Sequence, residues 1–494
     1  MKSKGLDLTN GRTGAFTLFS VFKFIVLSSV AFVFLNISLP LYTIVSTRYN
    51  FSIKQPILKF ASSSSTSNSV SFPIYQSNYS NNTRQGASST TPSAKPSANS
   101  NSISSLLLLQ SPTVKLVQNS SAAASFSNDK LNSSVKKQIG RQRILQKGCD
   151  LSKGEWVQDP NAPYYTNSTC WMIQEHQNCI KFGRPNLDFL KWRWKPDGCE
   201  LPLLDPAQFL EKMRGKILAF VGDSLARNQM QSLMCLLSRA EFPKEMPSTE
   251  ENQTRMFYES HNFTIWFFWS PFLVRAAQSN HTLHSFPSWN LYLDEPDPLW
   301  PSLLPNFNFV VLNSGNWYTR PSLFHLNRTL VGCHYCPIPN PPYMSLRRAH
   351  RHAFRTALNT VAAARRRGFK GLTVVRTVSP SHFEGGEWDK GGDCARTKPF
   401  RGGEEAPRLE GLEKEMYEEQ LKEFWKAKWE GSEVGLEFRL LDATKAMLMR
   451  ADGHPSKHGH SANEVMVMYN DCVHWCLPGP VDMWNDFLFQ IIDM

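Results

Sequence analysis

The stretch that most constrains this chain is KILAFVGDSLARNQMQSLMCLL, Lys216 to Leu237. Ile217 to Val221 is a short apolar run without alternation, the pattern of a strand buried on both faces of a parallel sheet. Gly222 permits a sharp turn after it. Leu225, Gln229, Ser232, Leu233 and Leu236 then recur at helical spacing with no Pro between them. A helix therefore starts close to Ser224. This strand–turn–helix predicts an α/β fold with Ser224 at the carboxyl edge of the sheet, where free helix N–H groups can stabilise an oxyanion. Asp-Ser is also ordinary capping chemistry, and Asp223 reads as a turn or cap residue.

A second stretch gives Ser224 a chemical context. NDCVHWCLPGPVDMWNDFL, Asn470 to Leu488, places Asp471 and His474 three apart, so that one short turn lets the carboxylate orient the imidazole. Acyl transfer needs a nucleophile, a base and an orienter, in any chain order. G-x-S-x-G is absent, which excludes the usual α/β-hydrolase elbow. An early G-D-S with a late D-x-x-H is similar to the layout of SGNH/GDSL-type acyl enzymes.

The net charge of +12 invites a nucleic-acid reading, but its distribution argues against one. Residues 1–148 carry 16 Lys or Arg against 2 acidic residues, and the rest of the chain is nearly neutral. No helix in the basic part carries a basic face, so no nucleic-acid partner is expected. None of the 10 Cys precedes Cys149, which points to disulfides in an oxidising compartment. The sequons at Asn78, Asn81, Asn119, Asn132, Asn167, Asn252, Asn262, Asn280 and Asn327 agree with that compartment.

Five segments are expected. Residues 1–22 form a cytosolic tail. Residues 23–45, with the uncharged run Phe24–Val45, are long enough for a transmembrane anchor and long for a signal-peptide core. A cleaved signal peptide is the alternative. Residues 46–147, rich in Ser, Asn, Thr and Ala, cannot bury enough apolar surface to offset their ordering entropy and read as a disordered luminal stem. Residues 148–202 hold four Cys and many aromatics and read as a small disulfide-pinned module. Trp192, Arg193 and Trp194 in it fit either a sugar-stacking surface or ordinary core, core being favoured. Residues 203–494 form the acyl-transferring domain.

In that domain His261–Val274 and Asn308–Tyr318 read as strands. The second ends in a turn whose Asn313, Gly315 and Asn316 are placed to supply oxyanion donors, although turn chemistry alone explains them. Tyr343–Arg367 is a helix stopped by Gly368, Leu372–Val378 a strand, Ser381–Phe400 a loop, Glu410–Lys428 a helix and Phe438–Leu441 a strand. Strands alternating with helices imply crossovers.

With these motifs in hand the sequence resembles the plant trichome birefringence-like family of polysaccharide O-acetyltransferases. The likeness runs from Cys149 to the C-terminus. It rests on the Cys-rich module, FVGDSLARNQ around Ser224, WSPFLV at Trp269–Val274, the SGNW turn, SHFEGGEWDKGGDC and DCVHWCLPGPVDMWNDFL. Tyr318 after Trp317, and Asp393, depart from the pattern the family implies, and leave acceptor specificity open.

The resemblance implies an SGNH-like three-layer α/β/α fold with a mainly parallel sheet. It also implies a type II Golgi membrane protein anchored by one N-terminal helix, with the catalytic domain luminal. Ser224, His474 and Asp471 match the family's catalytic positions. His474 would take the Ser224 proton, Asp471 would hold the imidazole, and an acetyl-enzyme would pass its acetyl to a sugar hydroxyl. Arg227 and Asn228, one helical turn on, are expected to order the pocket or to be plain helix-surface polarity. The implied disulfides are Cys149–Cys199, Cys170–Cys235, Cys179–Cys476 and Cys394–Cys472, leaving Cys333–Cys336. The acceptor would be a hemicellulose, with xyloglucan slightly favoured over xylan. The acetyl donor, acetyl-CoA or another carrier, would be a cosubstrate and no cofactor would stay bound. An acetyl-donor-supplying membrane protein is a further implied partner.

Other classes of protein fit some of the same residues. A polysaccharide acetylesterase would use the same three residues with water. A non-enzymatic wall-polysaccharide-binding protein would use Trp192 and Trp194. Cys333-x-x-Cys336 reads as a disulfide before a metal site, and His454, His458 and His460 as solvated loop residues. No metal site and no nucleotide loop are expected.

Overall fold

The structure is a computed structural model and describes residues 149–494, apart from 249–251, 284–285, 389, 402–406 and 462–469. The expected tail, anchor (23–45) and stem (46–147) lie outside these residues. Among the described residues no helix is long and apolar enough to cross a membrane.

The cysteine-rich module pairs β1 (Gly154–Gln158) antiparallel with β2 (Trp192–Pro196). Cys149–Cys199 closes it, and Cys170–Cys235 ties it to the next domain. Trp156 and Trp194 meet edge to face at 5.6 Å and are buried. Their indole N–H groups donate to Ala446 O and Leu151 O. Trp194 is therefore core, and its nitrogen is satisfied as a buried indole requires. Trp192 is half-buried and lines a surface cavity of about 230 Å³ with Tyr164, Arg193 and Asp486.

Beyond the module come α1 (Pro206–Lys212), β3 (Ile217–Gly222) and α2 (Ser224–Leu237), followed by β4 (Lys244–Met246), β5 (Gln253–Tyr258) and β6 (Phe263–Trp269). Next are β7 (Val274–Leu283), β8 (Phe286–Pro296), β9 (Phe309–Asn313), β10 (Ser322–Leu326) and β11 (Thr329–His334). The chain closes with α3 (Leu346–Ala364), β12 (Leu372–Arg376), α4 (Gly411–Glu433), β13 (Glu437–Leu441), α5 (Thr444–Leu448) and α6 (Asp482–Asp493).

A seven-stranded sheet of order β13-β12-β9-β3-β6-β5-β4 forms the centre. Neighbours from β13 to β6 run parallel, whereas β5 and β4 add antiparallel pairings. Successive side chains of a strand point to opposite faces. Leu218 and Phe220 accordingly join the core that holds α2 and α6, while Ala219 and Val221 join the core that holds α3 and α4. The layers are thus helix, sheet, helix.

Over all sheets the strand pairings are mixed, five parallel and five antiparallel, with four of the parallel ones in the central sheet. A second sheet, β11-β10-β8-β7, contains two antiparallel pairings and one parallel pairing. The run His261–Val274 is not one strand either. β6 ends at Trp269, a turn follows in which Leu273 N donates to Ser270 O at 3.1 Å, and β7 leaves for the second sheet after Leu273, which sits at φ 59. Short reversals then favour antiparallel neighbours, because parallel ones need long crossovers.

α3 forms as its apolar stripe predicts. Ser345 caps it, and Gly368, at φ 99, ends the 3₁₀ turn that follows. Phe354 is fully buried in the α3–α4 core. Truncating it to Ala removes about 3–5 kcal/mol. Arg347, Arg351 and Arg355 reach across to the buried carboxylates of Glu419 and Glu423 on α4.

Candidate active site

Ser224 is positioned by its two neighbours. A Cβ at Gly222 would lie 2.1 Å from Asn313 O, so only Gly lets β3 and β9 close beside the turn. Asp223 then caps α2, accepting from Leu225 N at 3.0 Å. Its carboxylate also accepts from Asn313 Nδ2 at 3.1 Å and Gly315 N at 3.2 Å. Burial raises the Asp223 pKa, and the Arg376 charge and these donors oppose that.

The loop before α6 brings the other two groups. His474 Nε2 lies 2.7 Å from Ser224 Oγ, and His474 Nδ1 lies 2.8 Å from Asp471 Oδ2. Asp471 Oδ1 accepts from Val473 N and His474 N at 3.1 and 2.9 Å. That tight turn is what the three-residue spacing allows. Burial alone would raise the Asp471 pKa, but the His474 charge and hydrogen bonds hold it well below the usual carboxylate range. Burial alone would lower the His474 pKa, and the adjacent Asp471 more than reverses that. The set can pass a proton from a hydroxyl to an imidazole and stabilise the resulting cation.

Asn228 and Arg227 are both at this site, and neither is plain surface polarity. Asn228 is fully buried; it accepts from Trp475 N at 2.8 Å and donates to Trp475 O at 3.3 Å, clamping the residue after His474. Arg227 lies over the Trp269 ring at 4.7 Å and the Phe267 ring at 5.2 Å. Trp269 is in register with Gly222 and meets Trp317 edge to face at 5.1 Å, an aromatic wall beside the Ser224 turn.

The expectation for Asn313 and Gly315 needs correction. The single N–H of Gly315 and one of the two Asn313 amide N–H groups are taken by the Asp223 carboxylate, so Gly315 stiffens the turn and is not presented to an oxyanion, while Asn313 keeps a second N–H. Asn316 Nδ2 instead reaches Ser379 O at 3.5 Å. The His454 reading also changes. His454 is fully buried, with Nδ1 2.7 Å from His474 O, and only His458 and His460 are half-exposed. Apolar packing against Trp475, invisible in a Gly-containing loop sequence, is what buries it.

His176, from the module, was not signalled by any motif. Its ring meets that of His474 edge to face at 5.0 Å. Burial and the His474 charge push its pKa down to about 4, so it is neutral at physiological pH. Side-chain ligand atoms of His176, Asp471 and His474 lie within 4.8 Å of one another, the one such cation-sized group among the described residues. Asp471, however, is already committed to orienting His474.

All ten cysteines are paired: Cys149–Cys199, Cys170–Cys235, Cys179–Cys476, Cys333–Cys336 and Cys394–Cys472. Two of these bridges pin the Asp471–His474 turn, one from within it at Cys472 and one just after it at Cys476.

A hydroxyl, an imidazole and a carboxylate thus stand in a hydrogen-bonded line at the carboxyl edge of an α/β sheet, the arrangement that serine acyl transfer uses. Residues 201–491 match the GDSL/SGNH-like acyl-esterase family found in Pmr5 and Cas1p, and residues 147–200 match the PMR5 N-terminal domain. The chain is 49% identical over 348 residues to protein trichome birefringence-like 19 of Arabidopsis thaliana, covering 70% of this chain and 80% of the relative. It is 42% identical over 348 residues to xyloglucan O-acetyltransferase 2 of Arabidopsis thaliana, covering 70% and 82%. Xyloglucan O-acetyltransferase 1 of Populus trichocarpa is 42% identical over 354 residues, covering 70% and 81%. The chain belongs to the trichome birefringence-like family, within the GDSL/SGNH-like acyl-esterases.

Proposed function

We propose that this chain is a polysaccharide O-acetyltransferase that moves acetyl through Ser224 onto hydroxyls of a hemicellulose, xyloglucan before xylan. The observation that carries it is the Ser224–His474–Asp471 hydrogen-bonded chain, in a family whose members include xyloglucan O-acetyltransferases. His474 takes the Ser224 proton as Oγ attacks the donor's acetyl carbonyl, and Asp471 holds the tautomer. The Ser224 N–H, in the first turn of α2, is a donor of the kind that stabilises the oxyanion, and the Arg227 cation adds to it. The donor's leaving group then takes the proton, and an acetyl-Ser224 ester remains. The acceptor hydroxyl, deprotonated by His474, attacks that ester and releases Ser224. Trp269 and Trp317 offer ring faces of the kind sugars stack on.

In this reading acetyl-CoA or another acetyl carrier is the cosubstrate, and a membrane protein supplies it. The run Phe24–Val45 anchors the chain in the Golgi as a type II protein, with residues 46–147 as a luminal stem.

An acetylesterase is the second reading, favoured by the acyl-esterase description of the matching family. One experiment separates the two. Enzyme given acetyl donor alone should gain one acetyl group, and Ser224→Ala none. Oligosaccharides of xyloglucan and xylan are then added and product masses read. Acetyl recovered on sugar supports transfer. Acetyl lost only to water, whatever sugar is offered, supports the esterase.

A further inference from the structure

Behind His474 lie two imidazoles that the proposed reaction does not use. His382 Nδ1 and His454 Nε2 are 2.7 Å apart. The other nitrogen of each ring meets a backbone carbonyl: His382 Nε2 lies 2.9 Å from Leu448 O, and His454 Nδ1 lies 2.7 Å from His474 O. Trp475 stacks on His454, with centroids 3.9 Å apart and planes 24° from parallel.

Carbonyl oxygens only accept, so each end of this chain requires an N–H on the ring that faces it. A neutral imidazole has one N–H, and both are then used at the ends. His382 Nδ1 and His454 Nε2 would be left as two lone pairs facing each other at hydrogen-bond distance. Moving either ring to its other tautomer only shifts the clash to a carbonyl. One added proton between the rings completes three hydrogen bonds over four nitrogens.

We propose that His382 and His454 share one proton, and that this imidazolium–imidazole pair is a positioning device fixing the backbone of His474. The proposal rests on the reading of His474 as the base.

The charged groups around the pair come from every element packed on it. Glu384 and Arg396 flank His382 within the loop after β12, and Asp452 reaches it from the turn after α5. Asp452 is itself paired with Arg450 at 2.8 Å. Asp471 and His474 lie on the C-terminal side of His454, and Arg184 reaches it from the module, donating to His454 O. The three carboxylates are matched by three guanidinium groups, Arg396 pairing with Glu384 and Arg450 with Asp452, so it is the hydrogen-bond geometry that calls for the proton. Burial pushes both imidazoles down and opposes any charge on the pair, while the bonds to Leu448 O and His474 O and the carboxylates of Asp452, Glu384 and Asp471 favour one. Loss of the shared proton must break one of the three hydrogen bonds, the one between the rings when both N–H groups stay on their carbonyls.

The test is nitrogen NMR of the full chain carrying ¹⁵N in its histidine imidazoles, followed over pH. Below the titration, His454 should carry protons at Nδ1 and on the bond to His382, and the pair should lose one proton in a single step. His382→Asn offers an amide donor to His454 Nε2 without a charge, and should keep the His454 Nδ1–H while abolishing that step. His454→Phe keeps the stack on Trp475, leaves His474 O without its donor, and should lower kcat about tenfold with KM little changed. One N–H on each wild-type ring at every pH where the chain stays folded would overturn the proposal. The spectrum reads protons and not acetyl transfer. A shared proton in a chain that transfers no acetyl would therefore count against the proposed function and leave this pair standing.

Discussion

Cys476 stands two residues after His474 and is bonded to Cys179, 297 positions earlier in the cysteine-rich module. Arg184 in the same module donates to the backbone carbonyls of Asp452 and His454, and His176 packs on the His474 ring. The module is therefore a structural part of the site and not a separate appendage. Replacing both cysteines, Cys179→Ser with Cys476→Ser, removes a long-range cross-link worth about 2–4 kcal/mol. The expected outcome is a lower melting temperature, and a kcat loss at temperatures where the variant is still folded. Calorimetry beside acetyl-transfer rates checks it; an unchanged kcat in the folded variant contradicts the pinning of the base.

Ser224, His474 and Asp471 are expected to act as a unit. Ser224→Ala or His474→Ala should each cost on the order of 10⁴-fold or more in turnover, and the double variant little beyond either. The fold should persist, because these are half-buried polar groups outside the apolar core. Single-turnover rates with circular dichroism test this. A near-normal rate in Ser224→Ala ends the mechanism.

The pH dependence follows from the Asp471–His474 pair. His474 must be neutral to act as base, and its pKa is raised by the Asp471 carboxylate. The rate should therefore fall as pH drops through a value above the ordinary histidine one. Asp471→Asn removes the two largest causes of the rise and leaves the smaller one from Asp223, so the limb should move to lower pH while the plateau falls by about 10⁴. The stability signs are separate. The depressed Asp471 pKa stabilises the fold above the usual carboxylate range, and this is lost as pH falls through the folded value. The raised His474 pKa stabilises below the ordinary histidine value, and this is lost as pH rises through the folded one. Rate and melting profiles of the two proteins check these directions.

Asp486 gives a prediction of opposite sign. Burial, with the Asp482 charge adding to it, pushes its carboxyl up to about 8, while Leu204 N donates to it at 2.8 Å. The folded state then holds a proton that the unfolded state releases near pH 4, so stability falls as pH rises toward 8. Asp486→Asn keeps an acceptor for Leu204 N and removes the titration. Its melting temperature should exceed wild type at pH 8 by at least about 1–2 °C, the shift 1 kcal/mol produces at about 2 cal/mol/K per residue in a domain of this size, and match it near pH 4. Equal melting temperatures at both pH values would falsify the assignment.

The central strand, the helix behind it and Ser224 between them were legible because a buried apolar run, a glycine and a 3.6-residue stripe are local patterns. So were the cap role of Asp223, the three-residue spacing of Asp471 and His474, and α3 with its Gly368 stop. The second sheet was not legible, because it follows a turn in which Leu273 adopts a left-handed backbone that its side chain does not announce. Only the tertiary structure decided which donors Asp223 consumes, and so removed the Gly315 N–H from the oxyanion. Only it buried His454 against Trp475 and His382, and carried His176 to His474 across almost 300 residues of chain. Local periodicity sets the elements because it is read within a few turns of backbone. Hydrogen-bond partners and burial at the site depend on contacts between segments far apart in sequence, and no short pattern encodes those.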